Sequence, residues 1–158
     1  MSVQEYKDIK PNLELFEYFK GNTRGWGMFQ TRNGKLKRQF VVDMQGTIND
    51  QGHLVLDEDF VWDDGEKSKR VWTIQKDANN NYIGTAPDIV GTAKGQSSGN
   101  AFQWNYVMNL PVGDKTYKVK FQDWLFLQPD GVLLNRAKMS KFGLGLGEVF
   151  ISFKKVKR

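Results

Sequence analysis

An all-β chain, folded as a single antiparallel up-and-down β-barrel with a short N-terminal helix, is the fold class that this sequence predicts. Three observations carry the prediction. Apolar and polar residues alternate through most of the chain with the two-residue period of a strand. The alternating runs are separated by turn signals such as "NGK" (33–35), "DDGE" (63–66) and "PDG" (129–131), and Asn-Gly and Asp-Gly pairs are the strongest short-range hairpin signals. The connections are short throughout, which favours a meander, and closing a meander into a barrel removes its exposed edges. No repeat, linker or low-complexity stretch divides the 158 residues. One domain over 11–158, preceded by a polar tether over 1–10, is therefore expected.

The helix is expected over "PNLELFEYFKG" (11–21). Pro11 suits a first helical turn, Gly21 suits a stop, and Leu13, Phe16 and Phe19 fall near one face. Nine strands follow in the reading, over 26–32, 36–48, 53–62, 68–76, 82–95, 100–110, 116–128, 132–142 and 148–156. The segment 82–95 carries Pro87 and several glycines, so it is expected as one weak or bulged strand.

Assigning faces by alternation exposes an irregularity that repeats. Arg38 shares a face with Leu36, Phe40, Val42 and Met44, and Glu58 shares one with Leu54, Leu56, Phe60 and Trp62. Arg70 falls with Trp72 and Ile74, and Asp123 with Tyr117, Val119, Phe121, Leu125 and Leu127. Arg136 falls with Val132 and Leu134. A lone buried charge is very costly, so these five groups must pair, meet water or meet a ligand. Two readings stand. In one, Arg38, Glu58, Arg70, Asp123 and Arg136 form a satisfied ion network inside a packed barrel that serves a structural or interaction role. In the other, they line a lumen that holds the anionic head group of a small amphipathic ligand, such as a fatty acid or lipid.

Other chemistries find little support. Cys is absent, which removes disulfides, thiolate metal sites and a Cys nucleophile. The single histidine, His53, follows Gly52 in an expected turn and has no partner for a triad. The acidic run "DEDFVWDDGE" (57–66) lacks the ligand spacing of a calcium loop. A glycosidase-type carboxylate pair could be assembled from Glu58 and Asp123, on shared polarity alone. The five tryptophans fall at strand spacing and read as core. "GLGLG" (143–147) leads into "EVFISF", which alternates as a strand. A phosphate loop would lead into a helix, so these glycines are expected to make a tight or bulged connection. The formal charge of +5 is modest and is concentrated in the terminal "FKKVKR". Nucleic acid is not an expected partner, and no catalytic residue, metal or cofactor is expected. No apolar run approaches the length that crosses a bilayer.

Four long stretches, "PNLELFEYFKGNTRGWGMFQTRNGKLKRQF", "LDEDFVWDDGEKSKRVWTI", "GTAPDIVGTAKGQSSGNAFQWNY" and "FQDWLFLQPDGVLLNRAKMSKFGLGLGEV", together resemble a known family. It is a family of small lipoproteins of Gram-negative bacteria, the domain of unknown function numbered thirty-eight thirty-three, and the resemblance spans about residues 11–153. The resemblance implies no established activity. It does imply a periplasm-facing protein, anchored to a membrane through an N-terminal lipid on a lipobox Cys. This chain has no Cys and begins "MSVQEYKDIKP". The expectation is that an export segment has been removed, the alternative being a cytoplasmic protein. A short helix ahead of a strand bearing Gly25 and Trp26 is also similar to the layout of the lipocalins and fatty-acid-binding proteins, the calycin group. By that likeness Arg38, Arg70 and Arg136 would be counterparts of lumen arginines that meet a ligand carboxylate.

Overall fold

Among the residues that the computed structural model describes, 2–157, ten antiparallel strands close into a barrel. They are β1 (Gly21–Thr31), β2 (Leu36–Ile48), β3 (Leu54–Trp62), β4 (Lys67–Lys76) and β5 (Asn81–Thr85), then β6 (Ile89–Ser98), β7 (Ala101–Val112), β8 (Lys115–Leu127), β9 (Leu133–Lys141) and β10 (Leu144–Lys155). Each strand pairs with its neighbours in sequence, and β10 returns to pair with β1, from Thr23 opposite Lys155 to Thr31 opposite Gly147. Closure leaves no unpaired edge. The up-and-down barrel expected from alternation and turn spacing is thus the fold.

One expected strand is two. The segment 82–95 divides into β5 and the first part of β6, because Pro87 has no N–H to give to a ladder. Ile89 N instead donates to Ala86 O at 3.1 Å, which closes a turn, and Asn109 N donates to Asp88 O at 2.8 Å. The turn fixes Asp88 against β7, a placement used below.

The helix is also shorter than expected. α1 spans Leu15–Phe19, not 11–21. Leu13 N donates to Gly99 O at 2.8 Å, which holds the preceding residues extended against the β6–β7 turn. At the other side Lys20 is already extended and Gly21, at φ +90, turns the chain into β1. Leu15, Phe16 and Phe19 are buried and plug one end of the barrel, packing with Leu54, Ile74, Tyr82 and Phe153. Tyr18 OH donates to Gly131 O at 2.8 Å, and Lys155 Nζ donates to Lys20 O at 2.7 Å, so the plug is tied to the β8–β9 turn and to β10.

Inside the segment expected as a tether, Val3–Tyr6 form a 3-10 helix capped by Ser2 and Glu5. Val3 is buried with Ala101 and Trp124, and Tyr6 packs edge-on against Trp124 and Phe126. Trp124 therefore lies on the outer wall beneath this helix rather than in the lumen.

Inside the barrel, the inward sets of β2, β3, β4 and β8 are those that alternation assigns. Phe40, Val42 and Met44 are buried on β2, and Leu54, Leu56 and Glu58 on β3. Trp72 and Ile74 are buried on β4, and Val119, Phe121, Asp123 and Leu125 on β8. At Gly27 the wall must lie flat: a Cβ there would fall 2.2 Å from the Phe40 ring.

Strand β9 has the opposite face to the expected one. Leu133, Asn135, Ala137 and Met139 point in, while Leu134 (44% exposed) and Arg136 point out. The outward set, Leu134, Arg136, Lys138 and Ser140, carries the polarity. The inward set has one amide, and its Nδ2 donates to Trp124 O at 3.0 Å. Arg136 is therefore not a lumen residue.

Candidate functional site

Two ends of the barrel differ. The end bearing the β2–β3, β4–β5, β6–β7 and β8–β9 turns is filled by α1. The opposite end carries the β1–β2, β3–β4, β5–β6, β7–β8 and β9–β10 turns and opens on a cavity of about 360 Å3. Its floor includes Leu15 and Phe19, its walls include Val42, Met44, Leu56, Trp72, Phe102, Trp104 and Leu125, and its mouth includes Arg38, Trp62, Glu66 and Leu110.

Partway down sits a polar cluster built from four strands and one turn. Glu58 is the central residue of β3, and Arg70 stands directly across from it on β4. Arg70 Nε donates to both oxygens of Asp88, at 3.2 and 3.0 Å, and Nη2 donates to Oδ2 at 2.9 Å. The guanidinium is thus committed to Asp88, and its Nη1 comes only within 4.0 Å of Glu58 Oε1. Across the lumen, Asp123 on β8 accepts from Trp104 Nε1 at 3.3 Å and from Tyr106 OH at 3.2 Å, both on β7. Glu58, by contrast, accepts no hydrogen bond among the described residues, though it is 8% exposed.

Burial dominates the electrostatics here. It pushes the Glu58 carboxyl from 4.5 to about 7; Arg70 opposes the rise, and Asp88, Asp123 and Asp57 add to it. Burial likewise pushes Asp123 from 3.8 to about 7, against the donated bonds of Trp104 and Tyr106 and the charge of Arg70. Tyr106 is raised well above its ordinary range by burial first and by Asp123 second. A carboxyl whose pKa is higher in the fold than in the unfolded chain favours folding when protonated. That stability is lost as pH rises from the unfolded values near 4 through about 7. The melting temperature is accordingly expected to be lower near pH 8 than near pH 5. A Glu58→Gln/Asp123→Asn variant should flatten that dependence, as read by thermal unfolding across the pH series. A flat profile in the unsubstituted protein would contradict the burial of these two acids.

Of the five charges singled out by alternation, the structure brings three together: Glu58, Arg70 and Asp123. Arg38 lies at the mouth, with its guanidinium carbon 3.9 Å from the Trp62 ring centroid and Nη2 at 3.3 and 3.5 Å from Glu66 and Asp64. Arg136 lies outside. The expected excess of arginine in the lumen is therefore reversed: at the polar cluster three carboxylates, Glu58, Asp88 and Asp123, face one guanidinium. Asp88 was missed because it lies in a turn that splits the segment 82–95, which was expected as one weak or bulged strand with no clear face. Tyr106 was legible as the partner of Phe102, Trp104 and Met108 on one face of β7, but an aromatic at that spacing reads as core.

The remaining sequence candidates fall elsewhere. His53 closes the β2–β3 turn at the plugged end, where its N donates to Asn49 Oδ1 at 3.0 Å. The run 143–147 is mostly strand: β10 starts at Leu144, and the ladder with β9 shifts register between Gly145 and Gly147. That is the bulged connection the glycines were expected to allow. Among the described residues, no group of three or more His, Cys, Asp or Glu is placed to hold a metal ion. A second concavity, about 850 Å3, lies on the outer wall along β9, β10, β1, β2 and β3, lined by Trp26, Met28, Val41, Val61, Leu134 and Arg136 among others.

The fold has solved counterparts. An S-type phycobiliprotein lyase, CPES, from Guillardia theta superposes with a TM-score of 0.67 at 13% identity, covering 100% of this chain and 94% of that one. A protein of unknown function of the DUF3598 family from Nostoc punctiforme superposes with a TM-score of 0.66 at 14% identity, covering 93% of this chain. This chain spans about half, 51%, of the Nostoc protein. At such identities the likeness is one of fold, a lipocalin-like barrel. No functionally curated protein matches the chain. The family model described as protein of unknown function (DUF3833) matches residues 1–155, and the chain belongs to that family.

Proposed function

We propose that this protein is a non-enzymatic carrier that holds a small amphipathic molecule in the lumen of its barrel. The observation that carries the reading is the cavity of about 360 Å3, plugged by α1 at one end, open at the other, and mostly apolar, with one polar cluster along its depth and charged groups at its mouth. Cavities of this kind, mostly apolar with a few convergent polar groups, are the usual form of small-molecule sites. The likeness to a phycobiliprotein lyase barrel supports the reading at the level of fold. The setting we propose is the cell envelope, and its support is the sequence resemblance to a lipoprotein family.

A second reading, an interaction protein that works through its surface, is favoured by the outer concavity with its half-exposed Trp26 and Met28. The two readings separate in one experiment. The neutral dye N-phenyl-naphthylamine, fluorescent when it leaves water, is titrated into the protein. Met44→Trp, which fills the lumen, is expected to weaken dye binding at least about tenfold, whereas Trp26→Ser on the outer wall leaves it unchanged. The reverse pattern, or no dye uptake, would sink the lumen reading.

A further inference from the structure

The chemical class of the occupant can be taken one step further, on the footing that the lumen is the binding site. We infer that the ligand is an amphipathic cation, whose positively charged head lies between Glu58 and Asp123 while its apolar part fills the cavity towards α1.

Charge balance is the first argument. At the polar cluster Glu58, Asp88 and Asp123 face the single guanidinium of Arg70, and that guanidinium is already tied to Asp88 by three donated bonds. The mouth supplies no spare positive charge. Arg38 is held by Asp64 and Glu66, and Lys69 is turned to the outer wall by Asp57 and Asp59. Above about pH 7, where Glu58 and Asp123 have lost their protons, an anionic head group entering this lumen would meet two buried carboxylates and no free base. Like charges brought together in a desolvated site repel strongly.

The second argument is the state of Glu58. Glu58 is buried, opens on the cavity and accepts no hydrogen bond among the described residues. A buried acceptor of this kind calls for a donor. Arg70 Nη1 at 4.0 Å is too far to be one. A ligand ammonium, carrying several N–H donors and a charge, would satisfy it.

The third argument is aromatic. Phe60, Trp72, Trp104 and Tyr106 line the same cavity, with the Trp72 ring 4.6 Å from Trp104 and 5.4 Å from Tyr106. Electron-rich rings beside carboxylates favour organic cations. These rings, set beside two acids, suit an organic head group.

The groups facing the two acids set the pH response. They are Arg70 on β4, Asp88 on the β5–β6 turn, Tyr106 and Trp104 on β7, and Asp57 on β3 itself. An aliphatic ammonium stays charged throughout the range in which Glu58 and Asp123 lose their protons, both at about 7. Cation affinity should therefore rise with pH through that value.

The test is competition against bound N-phenyl-naphthylamine by decylamine, decanol and decanoate, which share one chain and differ in charge. Near pH 8, decylamine is expected to displace the dye at about tenfold lower concentration than decanol, with decanoate the weakest. Near pH 6 the advantage of the amine should shrink. It should disappear in Glu58→Gln and in Asp123→Asn, each tested singly, with displacement in each variant referred to that variant's own dye affinity. If decanoate equals or surpasses decanol, or the amine keeps its advantage in both variants, the cation inference falls and lumen binding stands. Because the pH series needs only the unsubstituted protein, a variant that fails to fold leaves the inference open to refutation. If the dye does not bind at all, lumen binding fails, and this inference with it.

Discussion

Gly46→Ala is expected to cost about 3 kcal/mol of stability, because overpacking against a rigid neighbour is felt in full. Gly46 lies on the inner face of β2 where α1 crosses the barrel end. A Cβ there would sit 1.9 Å from the carbonyl oxygen of Phe19 and 2.8 Å from its carbonyl carbon. Those atoms are backbone, so no rotamer change relieves the clash and the helix itself must move. Moving it unseats Phe19 from Phe153, its edge-to-face partner at 5.6 Å, and lifts the floor of the cavity. Urea unfolding measures the loss, and dye titration should show a weakened site in the same variant. Gly145→Ala is the matched control: its Cβ would meet nothing within 4 Å, and its backbone is not in the left-handed region. The control is expected within about 0.5 kcal/mol of the unsubstituted protein. Equal stabilities for both variants would show that α1 does not seat on Gly46 in solution.

Arg70→Met is the second large effect. Removing one partner of a buried charge cluster usually costs about 3–5 kcal/mol, since it strands the remaining charges. Arg70 keeps 22% of its side chain exposed, so water screens part of the loss and the lower end, about 3 kcal/mol, is expected near pH 8. The penalty should shrink towards pH 5. There Glu58 and Asp123, with pKa values of about 7, hold their protons and no longer need the guanidinium. Urea unfolding at the two pH values tests both size and direction. Arg136→Met, on the outer wall, should change stability by less than about 0.5 kcal/mol at either pH. A large loss at Arg136 would mean that β9 faces the other way.

That pair of arginines shows how far alternation reaches. On β4, Arg70 falls with Trp72 and Ile74 while the opposite set holds Lys67, Lys69, Val71 and Thr73, so the contrast between faces is wide. On β9 the contrast is narrow. Val132 and Leu134 recommend one face, and Leu133, Ala137 and Met139 recommend the other. The deciding weight is Lys138 and Ser140, which join Arg136 on the polar side. Taking the start of the strand alone puts Arg136 indoors; taking its whole length puts it out. A one-residue change of face carries every side chain with it, so an error there is total.

Residues that alternation cannot see account for the rest. Asp88 takes most of the bonds of Arg70, yet it sits in a turn created by Pro87, and turns have no inward face. The 3-10 helix at Val3–Tyr6 is too short to show a period, so its docking over Trp124 was read as a polar tether. In the same way α1, five residues long, owes its limits to the bond between Leu13 and Gly99 rather than to its own pattern.

The sequence by itself determined the antiparallel meander, the placing of its turns other than the one between β5 and β6, and the lumen-facing sides of β2, β3, β4 and β8, with Glu58, Arg70 and Asp123 among them. These follow from interactions local to one strand or one hairpin: a two-residue period and the φ demands of turn glycines. Only the tertiary structure decided what those charges meet. Closure of β10 onto β1 sets which strands look at each other across the lumen, and so makes Glu58 and Asp123 interact, while the turn at Pro87 brings Asp88 to Arg70. It also decided that at the polar cluster three acids, Glu58, Asp88 and Asp123, face the one guanidinium of Arg70. The physical reason is that charge balance is a property of the enclosed space, and no single strand contains that space.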